Sequence, residues 1–147
     1  MAGGRSRETL SRDESLRLLG SVPIGRVVFT HLALPAIRPV CHLVDGDQIV
    51  IRADLGEAIA AAGGTVVAYE ADTIDPDDQV GWSVVVVGRA RRLPDTGENA
   101  RYRAALRPWV SGIPDDIIAI QADIVNGFLL ATADGADGPG GSGNSGG

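Results

Sequence analysis

The sequence predicts a mainly β domain, in which six to seven antiparallel strands and three short helices form a small closed barrel. Strand-length runs of β-branched and aromatic residues recur along the chain, as at residues 26–30. An Asp-Gly pair, Asp45-Gly46, separates two such runs and is typical of a tight hairpin. Sequential hairpins favour an antiparallel sheet, and closure into a barrel removes the exposed edges that such a sheet leaves.

Length and composition indicate one domain. The chain has 147 residues, of which 44% are hydrophobic, and this is enough for a core without disulfides or a structural metal. We expect a flexible N-terminus over residues 1–10, a folded domain over residues 11–133 and a disordered glycine-rich tail over residues 134–147.

The same composition argues against several classes of protein. No apolar run approaches the ~18 residues of a membrane-spanning helix, and the first residues lack the apolar segment of a secretory signal. The single cysteine, Cys41, is typical of a reducing compartment. The net charge of -6 argues against nucleic acid or an anionic membrane as a partner. We therefore expect a cytoplasmic protein that acts on a small molecule.

The first predicted elements are a helix and three strands. Ser11 and Glu14 have capping-box spacing at the start of a short helix, and Gly20 is placed to end it. Residues 26–30 predict a strand. Residues 36–52 predict two antiparallel strands around the Asp-Gly turn.

The middle of the chain predicts a short helix at residues 55–62, a strand at residues 65–69 and a solvated acidic turn at residues 70–78. Residues 81–92, which read GWSVVVVGRARR, have the strongest strand pattern in the chain. Their four consecutive valines indicate burial on both faces of that strand.

The last third of the chain predicts a helix followed by β structure. Residues 97–109 place Tyr102, Leu106 and Trp109 on one helical face. The apolar runs at residues 117–132 predict two short strands or one bent strand.

Few side chains suit metal or nucleophilic chemistry. His31, His42 and Cys41 are too few for a tetrahedral zinc site, and neighbouring strand residues point to opposite faces, so we predict no metal centre. Haem ligation by one histidine stays open. Cys41 is a possible nucleophile or simply a small buried hydrophobe. An acidic group at residues 72–78 lacks the calcium-loop pattern. Six arginines at residues 89–107 suit an anion, or else they neutralise that acidic turn or cover apolar surface with their stems.

Several segments, in order, resemble one known family. They are the leading helix with Leu18-Leu19, the segment IGRVV at residues 24–28, PVCH at residues 39–42, IRA at residues 51–53, and the acidic hairpin before GWSV at residues 81–84. This ordered set resembles the pyridoxamine 5'-phosphate oxidase-like, FMN-binding split β-barrel proteins of the branch common in actinobacteria.

The resemblance implies a homodimer of split barrels with two flavin-type cofactors in clefts between the subunits. It also implies which residues touch the cofactor. The strand with Pro39, Val40, Cys41 and His42 follows the isoalloxazine ring. Arg52 and Ala53 face the cofactor phosphate. Trp82 and Ser83 meet the cofactor from the GWSV strand.

Two residues depart from the family pattern at the phosphate. The family commonly has threonine at the position of Ala53 and lysine near the position of Glu57, whereas this chain has no lysine at all. A carboxylate repels a phosphate dianion, which leaves Arg52 to hold the phosphate. FMN and a deazaflavin are therefore both candidate cofactors, with haem, another tetrapyrrole or an empty pocket as the alternatives.

These observations predict a flavin- or deazaflavin-dependent oxidoreductase that transfers hydride to a small organic substrate. The alternative is a protein of the same fold that binds haem, a tetrapyrrole or flavin without turnover. No catalytic residue is assigned, although Cys41 and His42 are titratable groups on the strand that follows the ring.

Overall fold

The computed structural model of the chain describes residues 5–59, 64–108 and 110–132. The predicted tail and Trp109 lie outside these ranges. The described elements are β1 (Arg5–Leu10), α1 (Arg12–Gly20), β2 (Ile24–His31), β3 (Leu34–Asp45), β4 (Gln48–Ala53), a 3-10 turn (Gly56–Ala58), β5 (Thr65–Ile74), β6 (Gly81–Arg92), a second 3-10 turn (Gly97–Asn99), α2 (Ala100–Ala105), β7 (Asp116–Gln121) and β8 (Ile124–Thr132).

Six of these strands close into an antiparallel barrel, which confirms the predicted fold class. Around the barrel the order is β6-β5-β2-β3-β4-β7, and β7 pairs with β6 to close the circle. The two further strands extend the sheet outside the barrel, since β8 pairs with β6 and β1 pairs with β8. None of the described helices is long and apolar enough to cross a lipid bilayer.

One edge of β6 is shared by two strands. Residues 81–87 pair with β8, whereas residues 90–92 pair with β7. Gly88 lies at the changeover, where a Cβ atom would be 1.6 Å from the carbonyl oxygen of Gln121. The chain between β7 and β8 passes so close that only glycine fits there. Residues 117–132 are therefore two strands and not one bent strand.

The barrel interior is the main apolar core. On β6, Val84 and Val86 are fully buried, whereas Val85 and Val87 are only half-buried. The predicted burial of this strand on both faces is wrong, because side chains alternate across a strand and only one set faces the barrel. Leu19 of α1 packs into the same core.

The N-terminal residues include a strand, β1, where the sequence predicted a flexible segment. β1 pairs with β8 along its whole length. The Ser6 hydroxyl donates to the Ala131 carbonyl at 3.3 Å, and the Arg7 guanidinium lies 4.2 Å from the centroid of the Phe128 ring. This edge strand is held by backbone hydrogen bonds to β8 and has a polar sequence. It therefore lacks the alternating apolar pattern by which a strand is predicted.

The helix after Ser11 is confirmed. The Ser11 hydroxyl oxygen accepts a hydrogen bond from the Glu14 N–H at 3.1 Å. The Glu14 carboxylate pairs with Arg17. The hairpin at Asp45-Gly46 is also confirmed, and Gly46 has the positive φ of +64° that its turn requires.

Three predicted boundaries differ from the structure. The acidic segment stays in β5 as far as Ile74, because β6 pairs with it there, and the turn begins only at Asp75. The described part of the helix predicted at residues 55–62 is a 3-10 turn at Gly56–Ala58. α2 ends at Ala105, short of residue 109, and Pro108 disfavours helix immediately before it.

Candidate functional site

Two adjoining cavities lie beside β3 and the segment that follows β4. The smaller has a volume of about 150 Å³ and the larger about 440 Å³. Both are lined by Arg38, Asp54 and Leu55. The smaller is also lined by Pro39, Val40, Arg52, Ala53, Val110, Ile113 and Asp115. The larger is also lined by Phe29, His31, Ala36, Gly56 and Glu57.

Over the first part of β3, which lies at these cavities, no described strand pairs with one of its two edges, and we call this the open edge. Residues 34–41 pair with β2, but β4 covers the other edge of β3 only from His42 onward. The His42 N–H donates to the Pro23 carbonyl oxygen, on the side of β2, at 2.9 Å. Since alternate residues of a strand direct their backbone groups to opposite edges, Pro35, Ile37 and Pro39 turn theirs towards the open edge. The two prolines have no N–H group. This edge therefore presents three carbonyl oxygens and the N–H of Ile37.

Arg38 is an exposed cation that lines both cavities. Its Nη1 atom donates to the Asp54 carbonyl oxygen at 3.2 Å, and its guanidinium lies 5.7 Å from the centroid of the Phe29 ring. Within the described part of the chain it forms no ion pair. Its charge is therefore accessible to an anion in either cavity.

Arg52, predicted to hold the cofactor phosphate, is already bound to other groups of the protein. Its Nε atom donates to both carboxylate oxygens of Asp115, at 3.0 and 3.1 Å. Its Nη1 atom donates to the carbonyl oxygens of Arg103 and Leu106, at 3.2 and 3.0 Å. The side chain is only 18% exposed. This geometry ties β4 to α2 and the segment after it, and it leaves the Arg52 guanidinium less available to an anion than that of Arg38.

Asp115 lies between two arginines. Its carboxylate also accepts a hydrogen bond from Arg103 Nη1 at 3.0 Å, and its side chain is 10% exposed. The negative charge is thus compensated within the protein. Arg103 belongs to the arginine group that was predicted to bind an anion or to neutralise the acidic turn, and its carboxylate partner is instead Asp115.

Two exposed carboxylates, those of Asp54 and Glu57, line the larger cavity together with Arg38. Asp54 Oδ1 accepts a hydrogen bond from the Gly56 N–H at 3.2 Å, which shapes the start of the first 3-10 turn. Gly56 has a φ of +60°, and this turn places Glu57 on the cavity wall. Both carboxylate side chains are exposed. The electrostatic character of this cavity is therefore mixed.

His42 lies inside the barrel core and lines neither cavity. Its Nε2 atom is 2.8 Å from the Leu19 carbonyl oxygen, which can only accept, so this nitrogen carries the proton. Its Nδ1 atom then accepts from the Tyr69 hydroxyl at 2.5 Å. Burial lowers the pKa of His42 below its ordinary value, which favours this neutral form. The structure thus assigns His42 a structural role.

The other predicted site residues are divided among the cavity, the core and the outer face. Pro39, Val40 and Ala53 line the smaller cavity with Arg52. Cys41 points away from His42, as predicted from strand alternation, and packs beside Val50, Tyr102, Leu106 and Ile117. Trp82 is buried in the barrel core, and Ser83 is half-buried next to it. Neither Trp82 nor Ser83 lines either of the two cavities described above. Within the described residues no group of His, Cys, Asp and Glu could hold a metal ion.

Sequence reasoning missed Arg38, Asp54 and Asp115. Arg38 had a signal, because it directly precedes Pro39 in a predicted strand. Asp54 also had a signal, because it directly follows Ala53, which was predicted to face the cofactor phosphate. Asp115 had none, because its contact with Arg52 spans 63 residues of sequence.

Comparison with known proteins identifies the family. A family model described as pyridoxamine 5'-phosphate oxidase matches residues 11–134. The chain belongs to this family. Its membership confirms the resemblance seen in the sequence, and it agrees with the split barrel described above.

Individual proteins are similar to this chain over most of its length. An uncharacterized protein of Mycobacterium tuberculosis is 49% identical over 127 residues, which cover 82% of this chain and 84% of that protein. The crystal structure of a candidate pyridoxamine 5'-phosphate oxidase from Corynebacterium glutamicum has a TM-score of 0.71 at 29% identity, covering 86% of this chain and 99% of that one. The FAD binding protein of Mycobacterium smegmatis has a TM-score of 0.61 at 26% identity, covering 84% and 98%.

Proposed function

We propose that this chain is a flavin- or deazaflavin-dependent oxidoreductase whose cofactor binds beside the open edge of β3. The observation that carries the proposal is the pairing of this edge with one accessible guanidinium, that of Arg38, at a cavity of about 440 Å³. That volume is within the range of about 300–1,000 Å³ typical of small-molecule sites. Family membership and the similarity to an FAD binding protein support the same ligand class.

The residues present fit such a cofactor in part. Apolar groups of Phe29, Val40 and Leu55 offer walls for a flat ring, and the carbonyl oxygens of the β3 edge can accept hydrogen bonds from ring N–H groups. Arg38 suits a phosphate. Asp54 and Glu57 oppose a phosphate, so this chain binds it with less positive charge than the family pattern provides.

The contribution of this chain to the reaction is binding and orientation. A flavin or deazaflavin, when bound, supplies the hydride chemistry. His42 is committed to Leu19 and Tyr69, and Cys41 packs under α2, so neither is placed to exchange a proton with a molecule in the cavities. The cavity walls therefore position a substrate, and no acid or base among the described residues is assigned.

We also propose that a second copy of the chain completes the cleft. An apolar row crosses four strands on the outer face of the sheet, in which Val28, Ala68, Val87 and Ile124 are register neighbours. Ile124 is 56% exposed. An apolar row of this kind is favoured as an interface between copies.

The dimer is tested by light scattering on the purified protein. We expect twice the mass of one chain for the wild type and a monomer for Ile124→Glu. Leu129→Glu is the control, because alternation places it on the opposite face of the same strand, and it should leave the mass unchanged. A monomeric wild type would refute the dimer.

Cofactor binding is tested by titrating the protein with flavins and a deazaflavin and following fluorescence. Arg38→Gln should weaken binding of a phosphate-bearing cofactor about tenfold, because a charge-assisted contact is lost. It should change the free energy of unfolding by less than about 0.5 kcal/mol, because the side chain is exposed. Arg91→Gln, exposed on β6 and outside both cavities, is the control.

Turnover separates the oxidoreductase from the binding protein. Bound cofactor that is reduced by a nicotinamide donor and reoxidised by a small organic acceptor supports the oxidoreductase. Cofactor that is retained but not reduced supports the alternative without turnover. Failure of every flavin and deazaflavin to bind would refute the proposal.

Haem binding remains the second candidate function because His31 lines the larger cavity and is exposed. His42 is excluded from this role by its two hydrogen bonds in the core. A Soret band in the purified protein that is lost in His31→Ala would favour haem over flavin.

A further inference from the structure

The smaller cavity differs from the larger one in the size of the molecule that it can hold. Its volume is about 150 Å³, against about 440 Å³ for the larger cavity. An apolar cavity of about 150 Å³ holds one benzene ring. A flavin has three fused rings and needs more room than this. The smaller cavity therefore suits a molecule with a single ring.

Most of the wall of the smaller cavity is apolar. Six of its ten lining residues have apolar side chains, namely Pro39, Val40, Ala53, Leu55, Val110 and Ile113. Val110 and Ile113 are 49% and 48% exposed, although both are large aliphatic residues. Their exposed surface leaves water when an apolar molecule enters the cavity, and this release favours binding.

The charged side chains that line the smaller cavity have no net formal charge. Arg38 and Arg52 are positive, whereas Asp54 and Asp115 are negative. Arg52 and Asp115 pair directly with each other, with 3.0 Å between Nε and Oδ2. Shape and apolar contact, rather than charge, therefore decide which molecule this cavity selects.

The segment that carries Val110 and Ile113 is fixed to the barrel at both of its ends. Arg52 Nη1 donates to the Leu106 carbonyl oxygen at 3.0 Å, before Val110 in the chain. Arg52 Nε donates to the Asp115 carboxylate at 3.0 Å, after Ile113. One side chain of β4 thus holds the apolar wall in place beside the cavity.

We propose that the smaller cavity is a subsite for one apolar six-membered carbon ring, which belongs to the substrate. Arg38, Asp54 and Leu55 line both cavities, so a ring bound here lies next to a cofactor in the larger cavity. Hydride transfer requires reactants to be held side by side in this way. Binding of the ring follows from the cavity itself, whereas its role as substrate rests on the proposed function.

Binding is tested with benzyl alcohol and its two-ring analogue naphthylmethanol, followed by the NMR signals of backbone amides in isotope-labelled protein. Benzyl alcohol should shift the signals of Val110 and Ile113, which line only the smaller cavity, more than those of His31 and Glu57, which line only the larger one. Measured at Val110, it should bind about threefold more tightly than naphthylmethanol, because the second ring does not fit. A general affinity for apolar surface would give the reverse order.

Ile113→Ala tests the wall directly, because it enlarges the cavity and removes apolar contact. Benzyl alcohol should bind about fivefold more weakly, and its advantage over naphthylmethanol should disappear. The melting temperature should hardly change, because Ile113 is half exposed. Ile74→Ala is the matched control, since Ile74 is 41% exposed and lines neither cavity, and it should leave both binding constants unchanged.

The role as substrate subsite is tested on protein that has been loaded with a flavin and reduced. Benzyl alcohol should slow reoxidation of the cofactor by a small organic acceptor, because the two molecules compete for one cavity. It should slow reoxidation less in Ile113→Ala. A rate that benzyl alcohol leaves unchanged in wild type would overturn the role as substrate subsite.

The ring subsite and the proposed function fail in different ways. Tighter binding of naphthylmethanol at Val110, or equal binding of benzyl alcohol by wild type and Ile113→Ala, would overturn the subsite even if flavins bind. If benzyl alcohol binds as expected and no flavin or deazaflavin binds in a separate titration, the proposed function fails while the ring-binding cavity stands.

Discussion

The two halves of β3 lie in different surroundings although they belong to one strand. From Val40 to His42 the inward side chains are buried, and from His42 onward β4 pairs with the strand. From Leu34 to Pro39 the strand pairs with β2 alone, and its side chains are exposed or half-buried. One half is therefore bound into the barrel and the other is left accessible. The difference teaches that a single strand can stabilise the fold at one end and offer a binding edge at the other.

A substitution at Gly25 should have the largest effect on the stability of the buried half of β3. Gly25 pairs with Val40, and a Cβ atom there would lie 2.6 Å from the Tyr69 hydroxyl oxygen and 2.7 Å from the Glu70 carbonyl oxygen. Gly25→Ala should therefore lower the free energy of unfolding by about 3 kcal/mol, measured by urea denaturation, because backbone must move.

Gly97→Ala is the control for this substitution, since nothing lies within 4 Å of its added Cβ. It should change stability by less than about 0.5 kcal/mol. Equal stability of Gly25→Ala and wild type would show that the contact between β2 and Tyr69 is looser than described.

A smaller effect is expected from the titration of His42. Its pKa is lowered in the folded protein, so the unfolded chain binds the proton first and stability falls as the pH drops below about 6.5. Glu70 has the opposite sign, because burial and then Asp72 raise its pKa to about 7, so its contribution to stability is lost as the pH rises from about 4.5 to 7.

The difference between wild type and His42→Gln isolates the histidine. Urea denaturation at about pH 7.5 and 5.5 should show that acidification costs wild type more stability than it costs His42→Gln. His31→Gln, which alters an exposed histidine, should keep the wild-type dependence. The same pH dependence in all three proteins would contradict the neutral, buried state of His42.

The sequence was informative where local pattern decides structure. The Asp45-Gly46 turn fixes its hairpin, and the Ser11 cap fixes the start of α1, because both depend on residues close in the chain. β1 gave no signal, because its partner β8 lies more than 100 residues away. The end of β5 was misplaced for the same reason: acidic residues of this type favour a turn until pairing with β6 overrides them.

The sequence predicted several residues that share one cavity, but it was less informative about the contacts that each of them makes. Pro39, Val40, Arg52 and Ala53 do meet at one cavity. Arg52 pairs with Asp115, whereas Arg38 does not. This difference depends on the path of the segment after α2, which brings Asp115 to Arg52. Likewise, the inward position of His42 follows from strand alternation, but its partners Leu19 and Tyr69 follow only from tertiary structure.

The prolines of the open β3 edge have a consequence for self-association. A free edge with a full row of N–H donors is a template on which another chain can add a strand, and this leads to aggregation. Pro35 and Pro39 remove two donors from this row, so an incoming strand would find carbonyl groups with little to pair against. A flat heterocycle needs only one or two such groups. The edge can therefore remain open to a ligand while it resists the growth of fibrils.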